Sequence, residues 1–126
     1  AQLENLVACG LLKLTQFRRD FAGENWGLFY LRDKERREVD FVVTRDRRVH
    51  WLIEVKRSDD KPGGSLQYYT KKLQPRQSLQ LVLDLGRAQE KAGIRILSLG
   101  PWLQDLPFDV GGIGGSLVRD AGTVRL

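Results

Sequence analysis

Three side chains near the middle of the chain have the types and spacing of a polar reaction site: Asp40, then Glu54 and Lys56 with a single Val55 between them. Two carboxylates beside one ammonium form an unusual cluster for an ordinary sheet surface, because like charges directly opposed across strands repel. A cation placed between them relieves that repulsion, and a divalent metal is the natural candidate. The plainer reading is a solvated ion network of Asp40, Glu54, Glu38 and Lys56 on an exposed sheet face.

The elements that must position these groups are two apolar-alternating runs, Arg37 to Val43 and Trp51 to Ser58. Their spacing predicts a β-hairpin. A three-residue loop Asp46-Arg47-Arg48 would pair Val39 with Val55, Phe41 with Ile53 and Val43 with Trp51 on one face. The same register sets Asp40 directly across from Glu54, and Lys56 across from Glu38 and diagonal to Asp40. His50 shares that parity but lies about 13 Å along the strand from Glu54, so it receives no role.

Before the hairpin, Leu3, Leu6, Val7, Gly10, Leu11 and Leu14 recur at helical spacing, and the helix is expected to continue to Phe21. Glu4 near its start is by itself an ordinary first-turn acid. Trp26 to Arg32 reads as a first strand. After a Gly-Pro-Ser-rich bend, Ser65 is the expected N-cap of a short amphipathic helix to Gln74, with Gln67, Lys71 and Lys72 on its polar side. Leu79 to Leu85 and Ile94 to Leu99 read as buried strands, and Pro101 to Leu106 as a last helical turn. The expected division is a domain over residues 1–106 and a Gly-rich tail over residues 107–126.

With 126 residues, 41% of them hydrophobic, the chain has the length of one ordinary globular domain. It has no apolar run of membrane-spanning length and no basic-then-apolar leader, so an intracellular, cytoplasmic protein with no membrane partner is expected. The single cysteine, Cys9, rules out an internal disulfide and a thiolate zinc site, and is expected to be buried. The absence of methionine fits a processed or partial chain. A net charge of +5 favours polyanionic partners, and nine of the 21 Lys and Arg residues fall between Arg32 and Arg57, which gathers basic charge around the acidic pair. No Gly-x-x-x-x-Gly-Lys-Ser/Thr loop occurs, so no ATP site is expected in this chain.

Helix, three meandering strands, helix, strand, strand is an α/β order with a mixed central sheet. With Asp40 on the second strand and Glu54-Val55-Lys56 on the third, it resembles the restriction-endonuclease-like PD-(D/E)XK nuclease superfamily, whose αβββαβ core carries these motifs. Glu4 matches the helix-borne acid of many members, and Gln67 lies where some carry a polar helix residue. The runs Leu3-Glu4-Asn5-Leu6, Phe29-Tyr30-Leu31-Arg32-Asp33, Arg37 to Val43 and Ile53-Glu54-Val55-Lys56 also resemble the C-terminal domain of unknown function that follows the ATPase module in bacterial and archaeal AAA-type P-loop ATPases. That likeness covers residues 1 to about 106.

The resemblance implies that Asp40, Glu54 and the Val55 carbonyl, with Glu4, hold Mg²⁺ or Mn²⁺ through oxygen ligands, while Lys56 positions water or steadies developing charge. Arg36, Arg37, Arg47, Arg48, Gln67, Lys71 and Lys72 would then contact the nucleic-acid backbone. The implied partners are nucleic acid, most readily DNA, and an N-terminal ATPase module, with a homodimer left open. The alternative is a catalytically silent nucleic-acid-binding or assembly module of that ATPase.

Overall fold

The computed structural model describes residues 2–106 of the chain; the expected tail, 107–126, lies outside the described residues. In order the elements are α1 (Gln2–Phe21), β1 (Trp26–Arg32), β2 (Glu38–Arg45), β3 (Arg48–Lys56), α2 (Gly64–Leu73), β4 (Gln77–Val82), β5 (Gln89–Lys91), β6 (Ile94–Ser98) and α3 (Leu99–Gln104). The strands form one six-stranded open sheet in the order β1-β2-β3-β4-β6-β5. Strands β1, β2 and β3 meander antiparallel, whereas β3, β4 and β6 run parallel. The expected α/β class with a mixed sheet and flanking helices is therefore observed.

Each sheet face has its own core. On one face Val7, Leu11 and Leu14 of α1 pack against Phe41, Val43, Ile53, Val55, Leu79 and Leu81, and α3 adds Leu99. On the other, Leu66 and Tyr69 of α2 cover Leu31, Val39, Val42, Leu52, Val82 and Ile96. The centre of the sheet is covered on both sides, which is why Ser78 to Val82 of β4 are all buried.

Several expectations need correction. The β2–β3 turn is a two-residue one, Asp46-Arg47, with both residues at positive φ (54° and 67°). It pairs Arg45 with Arg48 and Thr44 with Val49, and an irregularity after Val43 then restores the Val43–Trp51 and Phe41–Ile53 pairs that a three-residue loop would give. The expected register is thus correct at mid-strand, by a different turn.

A second irregularity matters more. Between β1 and β2, Phe29 pairs with Val42 but Leu31 pairs with Val39, so two residues of β2, Asp40 and Phe41, oppose Tyr30 alone. This bulge sends Val39 to the α2 face while Phe41 and Val43 keep to the α1 face. Val39 therefore does not share a face with Phe41.

At α2, Gly63 rather than Ser65 is the N-cap, and the Ser65 hydroxyl instead accepts from the Glu38 backbone N–H at 3.4 Å. On α1, Cys9 is exposed and Leu6 is 53% exposed, because the inward stripe is Val7, Leu11 and Leu14. The short strand β5 has too little apolar content to be visible in the sequence. Among the described residues no helix is long and apolar enough to cross a membrane.

Candidate functional site

The acidic groups lie where β2 parts from β3. The pairing of these strands reaches Phe41 and Ile53, and beyond it the Asp40 carboxylate, rather than a backbone carbonyl, accepts the Val55 backbone N–H at 2.8 Å. Glu54, Val55 and Lys56 continue as a parallel ladder against Gln80, Leu81 and Val82 of β4. The site thus occupies the carboxyl ends of parallel strands, where open α/β sheets place their ligands.

Within it the two acids face different ways. Asp40 lines a shallow cleft of about 230 Å³ on the α1 side with Glu4, Asn5, Ala8, Tyr30 and Phe41. Glu54 is only 8% exposed and turns to the α2 side, where its Oε2 lies 2.9 Å from the position a side chain on Gly63 would take. Lys56, two residues on and on the same face as Glu54, sets its Nζ 3.4 Å from Glu54 Oε2. The face-to-face opposition of Asp40 and Glu54 expected from simple alternation is replaced by a pair straddling the sheet end, because of the bulge at Asp40.

Both carboxyls are lifted above their ordinary range. For Asp40 the largest cause is burial; the Val55 N–H and Lys56 pull the other way, and Glu4 adds to the rise by charge and hydrogen bonding. For Glu54 burial again leads, the Asp40 charge adds to it, and Lys56 opposes it. Glu4 of α1 is therefore brought to Asp40. Among the described residues no group of three or more His, Cys, Asp or Glu side chains is arranged to hold a metal ion. Glu4, Asp40 and Glu54, the acids expected to hold the ion, therefore do not gather into such a group.

The expected basic contacts are divided by the fold. Arg36, at φ 65°, is exposed in the β1–β2 turn at the acidic end. Arg37 stands at the same end but is engaged, 3.0 Å from Asp33, 3.2 Å from Glu35 and 3.8 Å over the Tyr68 ring. Gln67, in the first half of α2, donates to the Pro62 carbonyl at 3.1 Å. Lys71 and Lys72 are exposed in the last turn of α2, with Lys72 near the Tyr68 ring. Arg47 and Arg48 sit at the opposite end of the hairpin, six residues or roughly 20 Å from Glu54. The basic charge does not all surround the acidic pair. Glu38, expected across from Lys56, pairs with Arg32 at 3.1 Å.

Gln80 is a member of this end that sequence reasoning passed over. It is fully buried beside Glu54; its amide donates to the Asp59 and Lys61 carbonyls at 3.1 and 2.7 Å, and its oxygen accepts the Gly63 N–H at 3.0 Å. One glutamine thereby fixes the loop that packs against Glu54. The signal was a lone polar residue inside the apolar run Leu79 to Leu83.

The family model described as Domain of unknown function (DUF4143) matches residues 1–102. No curated protein and no solved structure gives a significant match.

Proposed function

The chain belongs to the DUF4143 family, a domain of unknown function, and from the placement of Asp40, Glu54 and Lys56 we propose a nuclease-like domain of PD-(D/E)XK type acting on nucleic-acid phosphodiesters. The observation that carries this reading is a buried Glu54 and a half-buried Asp40, with Lys56 3.4 Å from Glu54, at the carboxyl ends of β3 and β4. In such a pair the ionised state is costly until a cation or proton arrives.

Asp40 and Glu54 would hold Mg²⁺ or Mn²⁺, with Glu4 flanking Asp40. The ion, when bound, supplies Lewis acidity and neutralises charge at the phosphate. Lys56 donates from the Glu54 side, where its ammonium can orient an attacking water or steady the negative charge that grows on the phosphate. Arg36 and the exposed end of α2 offer backbone contacts without sequence readout. In the full-length protein the domain would follow an ATPase module.

A second reading, a catalytically silent nucleic-acid-binding or assembly module, is favoured by one observation: Asp40 and Glu54 already have internal partners in the Val55 N–H and Lys56. Calorimetry with Mg²⁺ and Mn²⁺ tests the site. Binding by the wild type and its loss in Asp40→Ala are expected, and an unaltered isotherm in the variant removes the metal site. Cleavage of single-stranded, duplex and branched DNA, with Glu54→Ala and Lys56→Ala as controls, then separates the readings; metal binding without cleavage leaves the silent module.

A further inference from the structure

At the far end of the sheet from the acids, the start of β3 and the segment leading into β4 meet the β2–β3 turn. Arg45, Arg48, His50, Gln74 and Arg76, with Asp46, line a cleft of about 740 Å³ there. A neighbouring cleft of about 270 Å³ shares Gln74 and Arg76 and is also lined by Arg95 and Glu90. Arg48 opens β3 and Arg76 immediately precedes β4, so two guanidiniums stand at the starts of strands roughly 4.8 Å apart, whereas Arg95 is set level with Leu79, within β4.

The positive charge in this groove is only partly offset. Arg45 is drawn to Glu24 at 3.4 Å, and Arg95 donates to the Gln77 amide oxygen at 3.1 Å. Neither Arg48 nor Arg76 has an acidic partner within ion-pair distance among the described residues. His50 registers the field: burial first, then the charges of Arg45 and Arg76, hold its imidazole below its ordinary range. Its ring is fixed by Trp26 and Trp51, at centroid distances of 5.1 and 5.3 Å. Solvated arginines that merely guard a sheet end would be expected to spread apart, whereas Arg45, Arg48 and Arg76 line one concavity.

We propose that this groove is a second site, separate from the acidic end, for a ligand carrying two or more phosphates. Planar guanidiniums match phosphate oxygens in pairs, and several in a row suit linked phosphates better than one isolated anion. The Gln74 amide and the His50 ring supply further hydrogen-bonding groups on the same wall. Linked phosphates occur both in a nucleic-acid backbone and in the polyphosphate of a nucleotide, and either satisfies this chemistry. The proposal does not depend on the acidic end binding metal or cutting anything.

The test is titration of the whole chain at low salt with inorganic pyrophosphate and, separately, with a short single-stranded oligonucleotide, followed by calorimetry or fluorescence anisotropy. The double variant Arg48→Glu with Arg76→Glu should weaken binding at least tenfold and flatten its salt dependence. The double variant Lys13→Glu with Lys34→Glu makes the same charge change elsewhere and should weaken it no more than about twofold. Circular dichroism and melting of both doubles establish that they fold. Preference for the oligonucleotide assigns the backbone of a strand, and preference for pyrophosphate assigns a nucleotide. No binding of either probe, or equal losses in the two doubles, overturns the site, whatever the outcome of the metal titration.

Discussion

The Asp40 carboxylate accepts the Val55 backbone N–H at 2.8 Å where the β2–β3 ladder gives out. One side chain thus replaces a backbone acceptor. Asp40→Ala leaves that donor unpaired in a part-buried place and is expected to destabilise by about 1–3 kcal/mol in urea unfolding. Asp40→Asn keeps an acceptor and removes the charge, so it should be at least as stable as the wild type at neutral pH. Equal losses in the two variants would show that the carboxylate's charge, not its acceptor, matters.

Stability should fall as pH rises out of the carboxylate range. Both Asp40 and Glu54 are lifted, so between the unfolded and folded pKa the native state holds more protons, and its advantage is lost as pH rises through the folded value. Glu54→Gln removes part of this slope and should stabilise the protein at neutral pH by on the order of 1 kcal/mol. Added Mg²⁺ should raise the melting temperature of the wild type at neutral pH and have less effect on the variant.

Asp33 and Tyr69 give the opposite sign at acid pH. The Tyr69 hydroxyl donates to Asp33, which also receives Arg37, and together they hold the Asp33 carboxyl down to about 2 while Tyr69 is pushed up to about 12. The Asp33 contribution is complete above its ordinary 3.8 and is lost as pH falls toward about 2; that of Tyr69 is complete below 10 and is lost as pH rises toward about 12. Tyr69→Phe should flatten both limbs of a stability–pH curve while leaving the middle slope unchanged.

Gly63 is required by its neighbour rather than by its backbone, since its φ is −68°. An alanine methyl there would meet Glu54 Oε2 at 2.9 Å and force the carboxylate aside. Gly63→Ala is expected to cost about 1–3 kcal/mol in the wild type. In an Glu54→Ala background the same change should cost much less, and strict additivity in that double-mutant cycle would mean the two do not touch.

The periodicities of α1, β1 and the hairpin were legible because each follows one unbroken pattern. So was the nearness of Lys56 to Glu54 and of Glu4 to Asp40, though not the side to which each acid turns. What alternation could not supply was the bulge, since Val39, Asp40 and Phe41 look like an ordinary strand until β1 is seen to spend only Tyr30 against two of them. The split of basic residues was hidden for another reason. Arg48 and Arg76 are related only through strand direction and order, which a linear cluster of charges does not report. Cys9 and Leu6 were misplaced because a twenty-residue helix buries a narrower stripe than its apolar residues would fill.

The bulge also separates what the strand needs from what the site needs. Without Asp40, Val39, Phe41, Val42 and Val43 would alternate between the two cores with no interruption. Asp40 is the supernumerary residue of β2, inserted into a pattern that is complete without it. Deleting that one residue is therefore an edit that the sheet can absorb and the site cannot.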